Sequence, residues 1–151
     1  MVVIRSIIVY YFSETGNTEA VARAIASALN ADLVEILTGS ERVDADLAFV
    51  GTPTHGFRPA GPVRSFVENN DWAGVRVGLF CTYSLHPGRT LRWMRERIEA
   101  RGGEVIGELR IKGEHSFIPV LARGRPNERD LRRAQEFART VLRRFERGAR
   151  E

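Results

Sequence analysis

The sequence predicts an α/β fold, a doubly wound five-stranded parallel sheet, in one domain spanning residues 1–151. Three observations carry this. Short apolar runs with strand character alternate with segments whose apolar residues recur at helical spacing, the pattern of βαβ units. The unbroken run Ile7-Ile8-Val9-Tyr10 reads as a buried strand and passes through a hydroxyl-rich turn straight into a helical pattern. A chain of 151 residues, 43% of them hydrophobic, is long enough to bury one full core.

The first strand covers 6–12, and the first helix 16–29, with Ala20, Val21, Ala24, Ile25, Ala28 and Leu29 as its apolar stripe. The second strand is 32–37 and the third 47–51. A helix near 61–69 turns Val63, Phe66 and Val67 inward, and the fourth strand is 75–81. The next helix starts near Pro87-Gly88, buries Leu91, Met94 and Ile98, and stops at Gly102-Gly103. Proline early and glycine just past the end is the expected punctuation. The fifth strand is 104–112, followed by a loop containing Gly113, Pro119, Gly124 and Pro126. Asn127 caps the last helix, Asp130 lies in its first turn, and Leu131, Ala134, Ala138, Val141, Leu142 and Phe145 form its buried stripe. Its arginine-rich outer face is solvated and partly paired with Glu128, Glu136 and Glu146.

Only residues 38–45 separate the second and third strands. A parallel crossover usually takes a dozen or more residues, so the helix between strands 2 and 3 is short or missing. Part of one sheet face is then thinly covered. Either a second copy buries that patch in a homodimer, or long side chains such as Arg42 roof it.

Net charge is +4, and Lys112 is the only lysine. No apolar run is long enough for a membrane span, no signal peptide is visible, and the lone Cys81 rules out an internal disulfide, so a reducing cytoplasm is the simplest compartment. The basic surface favours an acidic partner. No aromatic-basic platform or nucleic-acid motif accompanies it. His55 and His86 lack a Cys or carboxylate cluster at metal-ligand spacing.

The turn after the first strand, Tyr11-Phe12-Ser13-Glu14-Thr15-Gly16-Asn17-Thr18, suits a phosphate. Free N–H groups and the positive end of the helix dipole converge there. Ser13, Thr15 and Thr18 add hydroxyls, Gly16 lets the backbone come close, and Asn17 tolerates turn angles. A plain helix cap needs one hydroxyl, not three around a glycine. No lysine or arginine lies in the turn, which points to a phosphate monoester held by hydrogen bonds.

This turn resembles the phosphate-binding loop of flavodoxins, Ser/Thr-x-Thr-Gly-x-Thr after the first strand, and matches it at Ser13, Thr15, Gly16 and Thr18. The resemblance implies flavin mononucleotide (FMN) as cofactor. It also implies the strand order 2-1-3-4-5, with the ligand where the order reverses between strands 1 and 3. Flavodoxins are typically acidic, so the net charge departs from the pattern.

The loop Gly51-Thr52-Pro53-Thr54-His55-Gly56-Phe57-Arg58-Pro59 resembles the first flavin loop of that family. His55 takes the usual aromatic position and Phe57 is a second ring contact. The resemblance implies that the Gly56–Phe57 peptide flips on reduction and offers its carbonyl to the protonated flavin N5, favouring one-electron steps; glycine makes this cheap. In Cys81-Thr82-Tyr83-Ser84-Leu85-His86, Tyr83 is the candidate for the other ring face, flanked by Thr82 and Ser84. This loop lacks the acidic residue usual in the family, which would raise the second reduction potential. His115 is expected in a surface loop, and Arg58 and Arg89 near the site on the plain surface, with contact to a partner or an anionic substrate as the alternative.

The implied function is an electron carrier between redox partner proteins. The string Gly51-Thr52-Pro53-Thr54 also resembles FMN-dependent NAD(P)H:quinone-type oxidoreductases, but no segment is present to build their substrate pocket.

Overall fold

The structure is a computed structural model describing residues 6–115 and 122–148; Pro119, from the loop before the last helix, lies outside them. The elements are β1 (Ile7–Tyr11), α1 (Asn17–Leu29), β2 (Asp32–Glu35), β3 (Leu47–His55), β4 (Arg58–Pro59), α2 (Gly61–Asn69), β5 (Arg76–Tyr83), α3 (Thr90–Ala100), β6 (Glu104–Lys112) and α4 (Glu128–Gly148). The sheet runs β2-β1-β3-β5-β6, every neighbouring pair on this path parallel. Counted without β4 this is the predicted order 2-1-3-4-5.

β4 corrects the sequence reading. The third strand does not stop at Gly51 but continues to His55 and folds back, with Thr54 opposite Pro59 and His55 opposite Arg58. Pro53 and Pro59 disguise this hairpin, because proline removes a ladder donor and reads as loop. The fourth strand likewise runs on past Cys81 to Tyr83, and α3 starts at Thr90 rather than at Pro87-Gly88.

Alternate side chains of the sheet feed two cores. Val9 and Tyr11 of β1 face α1 and α4, where Val21, Ile25, Ala138, Val141 and Phe145 pack over Phe49 and Phe80. Tyr10 faces the other way, with Phe66 and Val67 of α2 and Met94 and Ile98 of α3 around Trp72. Trp72 is fully buried, and its Nε1–H donates to the Val67 carbonyl at 2.9 Å.

No helix joins β2 to β3. Residues 36–46 form an irregular strap that closes the gap from within the chain. Ile36 is fully buried, and Val43 and Ala45 pack against the same core, while Arg42 stays exposed. A strap without a helix must satisfy its backbone by side chains. The Glu41 carboxylate accepts the N–H groups of Leu37 at 2.9 Å, Thr38 at 3.2 Å and Gly39 at 2.9 Å. Burial pushes the Glu41 carboxyl up, but these N–H donors outweigh it and hold it below its ordinary value. Asn70 receives the Val43 N–H at 2.9 Å and donates to the Glu41 carbonyl at 3.0 Å, and the Tyr10 hydroxyl accepts the Asp44 N–H at 2.9 Å.

Cys81 is fully buried in the sheet, and burial pushes its thiol up to about 12. It is therefore expected to resist an aromatic disulfide reagent in the native protein near neutral pH, and to react only on unfolding. Rapid labelling of the folded chain would refute this.

Candidate functional site

The sheet order reverses between β1 and β3, so the chain leaves their carboxyl ends toward opposite faces and a crevice opens between them. A cleft of ≈ 190 Å³ lies there. Its walls bring together Glu14, Thr15, Asn17 and Thr18 from the first loop, Pro53, Thr54 and His55 from the end of β3, and Thr82, Tyr83 and Ser84 from the end of β5.

Ser13 does not line the cleft. Its Oγ accepts the N–H groups of Gly16 at 3.1 Å and Glu19 at 3.2 Å and so shapes the loop from below. Gly16 caps α1 at φ 92°, without a side-chain cap bond. A Cβ at Gly16 would meet nothing within 4 Å, so the left-handed angle, not a close approach, requires the glycine. Asn17 is already helical. Its side-chain amide donates to the Glu114 carbonyl at 3.0 Å instead of serving a turn. Thr18 is buried, its hydroxyl 2.8 Å from that of Thr82. Thr15 is exposed to the cleft.

Within the described residues, the backbone N–H groups of Glu14, Thr15, Asn17 and Thr18 donate no hydrogen bond. Unmatched donors at the positive end of a helix, beside a free threonine hydroxyl and with no lysine or arginine in the walls, fit a phosphate monoester. Among the described residues no cluster of three or more His, Cys, Asp or Glu can hold a metal ion.

Thr52 lies below the cleft floor, fully buried. Its hydroxyl donates to the Pro53 carbonyl at 2.8 Å and accepts the Ala60 N–H at 3.0 Å, fixing the hairpin. Thr54 accepts from the Thr90 hydroxyl at 3.2 Å. Gly56 and Phe57 stand at the tip, outside the walls, with φ of 57° and 67°. Positive φ at both central residues is what a type I′ hairpin turn demands. His55 Nε2 reaches back to Glu14 Oε2 at 3.3 Å and ties the hairpin to the first loop. The third loop is pinned to β6, where the Gly113 N–H donates to the Tyr83 carbonyl and Ser84 Oγ to the Gly113 carbonyl, both at 2.8 Å.

Gly113, Glu114 and His115 complete the walls and were missed by sequence reasoning. The available signal was their place at the carboxyl end of the fifth parallel strand, where ligands gather. His115 is thus a half-buried cleft residue, not merely a surface one. Glu114 adds a second acidic residue, after Glu14, to the cleft walls, from a loop other than the third.

Glu114 is held from behind. Its N–H donates to the Arg125 carbonyl at 2.8 Å, and the Arg125 guanidinium grips Asp130, with Nη2 to Oδ1 at 2.7 Å and Nε to Oδ2. Asp130 and Asn127 form a reciprocal capping box at the start of α4, each backbone N–H donating to the other's side chain at 2.9 Å. Burial pushes the Asp130 carboxyl up, but the hydrogen bonds from Arg125 and Asn127 and the charges of Arg125 and Arg133 overcome it and hold it below its ordinary value.

No family model matches the chain. An uncharacterized protein of Methanocaldococcus jannaschii is 26% identical over 147 residues, covering 91% of this chain and 98% of that one. Oxidised flavodoxin 2 from Bacillus cereus superposes with a TM-score of 0.74 at 24% identity, over 92% of this chain and 99% of that one. Fusobacterium nucleatum flavodoxin, solved bound to flavin mononucleotide, superposes with a TM-score of 0.70 at 16% identity, over 94% and 99%. The strand order, the crevice at its reversal and these superpositions agree: the chain has the flavodoxin-like fold along nearly its whole length.

Proposed function

We propose that the chain binds FMN in this cleft and carries electrons between redox partner proteins. The unmatched N–H groups of Glu14, Thr15, Asn17 and Thr18 at the start of α1 are the observation that carries this reading. The flavodoxin superpositions support it.

The N–H groups and the Thr15 hydroxyl hold the phosphate. The cleft, ≈ 190 Å³, is smaller than the roughly 300–1,000 Å³ of ordinary ligand sites. The cleft would hold the phosphate end, and Tyr83 and the His55–Phe57 hairpin on its outer lips would contact the flat ring. A ring left partly in solvent would suit exchange of electrons with another protein. The flavin, when bound, supplies the electron-accepting chemistry. Turning over the Gly56–Phe57 peptide rotates ψ of Gly56 and φ of Phe57; Gly56, at φ 57°, has no Cβ to oppose the new ψ, so its carbonyl can be presented as a hydrogen-bond acceptor.

The test is a visible absorption spectrum of FMN-reconstituted protein through stepwise anaerobic reduction. The expected result is flavin bands with a discrete long-wavelength band at half-reduction that vanishes at full reduction. Failure to take up FMN would overturn the cofactor. Uptake with no half-reduction band, and fast turnover of NAD(P)H with a quinone, would replace the carrier with an oxidoreductase.

A further inference from the structure

We infer that Phe57, Arg58, Leu85 and Arg89, on the lip of the cleft, form a docking surface for an acidic partner protein; its purpose rests on the flavin reading above. Phe57 occupies a type I′ turn position with φ 67°, where an asparagine or glycine is at ease and a bulky residue is strained. That strain returns nothing to the core, because the side chain is 55% exposed. Leu85, 74% exposed, follows Ser84 of the cleft wall. More than half of the Phe57 side chain, and most of Leu85 in the neighbouring loop, stays bare among the described residues. Strain of this kind gathers where a surface is used.

The lip is rigid. The Arg89 N–H donates to the Phe57 carbonyl at 3.0 Å, the His86 ring meets the Phe57 ring edge-on at 6.1 Å, and the Gly88 N–H donates to His86 Nδ1 at 2.9 Å. Gly88 packs so closely that an added Cβ would collide with Phe57. The surface is therefore formed before a partner arrives, which spares the ordering entropy of docking.

Its charge identifies the partner. Arg58 and Arg89 are exposed, and neither forms a salt bridge among the described residues. Many arginines elsewhere are neutralised, as Arg23 is by Glu19, Arg92 by Glu96, Arg95 by Glu108 and Arg139 by Glu136. Two unpaired guanidinium groups flanking an aromatic and an aliphatic contact form a hot spot for carboxylates around an apolar centre. The net charge of +4 adds a long-range attraction for an acidic protein.

The experiment titrates isotope-labelled, FMN-reconstituted chain with an acidic ferredoxin-type iron–sulfur protein and follows backbone amide shifts at low and high ionic strength. Shifts are expected at 55–58 and 85–89, with affinity falling about tenfold in high salt and at least about tenfold in the Arg58→Glu/Arg89→Glu variant. That variant is expected to take up FMN like the parent. Phe57→Asn is expected to weaken docking while thermal stability holds or rises, since asparagine relieves the turn. Shifts confined to the arginine face of α4, equal affinity after charge reversal, or stronger perturbation of the same amides by a single-stranded oligonucleotide would each overturn the inference. FMN uptake without docking would sink the inference alone. A parent chain that refuses FMN would sink the flavin reading, and the amide shifts would still decide the docking.

Discussion

Replacing both Thr15 and Thr18 by alanine is expected to weaken FMN binding by at least about tenfold, from the lost Thr15 hydrogen bond to a charged group at about 1.5–3 kcal/mol, less what the backbone recovers, with a further loss as Thr18→Ala loosens the cleft wall. The two residues act differently. Thr15 is exposed to the cleft and makes no hydrogen bond among the described residues, so Thr15→Ala alone should cost about tenfold in affinity and leave stability unchanged. Thr18 is 1% exposed, and its hydroxyl meets that of Thr82 at 2.8 Å. Thr18→Ala leaves the Thr82 hydroxyl without its buried partner and should also lower stability by about 1–2 kcal/mol. Fluorescence titration of FMN, which is quenched on binding, measures the affinities, and thermal unfolding the stabilities. Undiminished affinity in the double variant would contradict the phosphate assignment.

The largest expected loss of stability follows Asp130→Ala, about 2–3 kcal/mol, or roughly 5–10 °C in Tm. The carboxylate is 2% exposed and serves both the Asn127 N–H and the Arg125 guanidinium. Its removal breaks the capping box of α4 and leaves a half-buried guanidinium without its acceptor. The loss is pH-dependent with a definite sign. Asp130 is held below its ordinary value of 3.8 in the folded chain, so its contribution is complete above that pH and disappears as pH falls through the lower folded value. The gap between parent and variant should be widest near neutral pH and narrow in acid. Urea unfolding at two pH values tests this, and a gap that is constant or widens in acid would refute it.

How much of the site was legible depended on sequence distance. Residues 13–18 form one contiguous turn, whose strand, glycine and hydroxyls speak locally, and the structure places that turn at the cleft. The short link between β2 and β3 was equally legible, because chain length alone forbids a helix there. The hairpin at Gly56 was hidden by Pro53 and Pro59, whose local preference is overridden once β5 pairs along β3 as far as Pro53. Glu114 and His115 were hidden for a different reason. Asn17 and Glu114 hydrogen-bond across 97 positions of sequence, and nothing near either residue announces the other.

The sequence by itself determined the order of elements, the parallel sheet, the hydroxyl-rich turn after β1 and the missing helix, because these follow from periodicity, chain length and local backbone preference. Only the tertiary structure decided that Ile36, Val43 and Ala45 close the gap, that Glu114 supplies the cleft's second carboxylate, and that Phe57 points to solvent. Those outcomes depend on which strands become neighbours and in what register. That choice is made by packing and hydrogen bonding between distant segments, not by the residues beside each position.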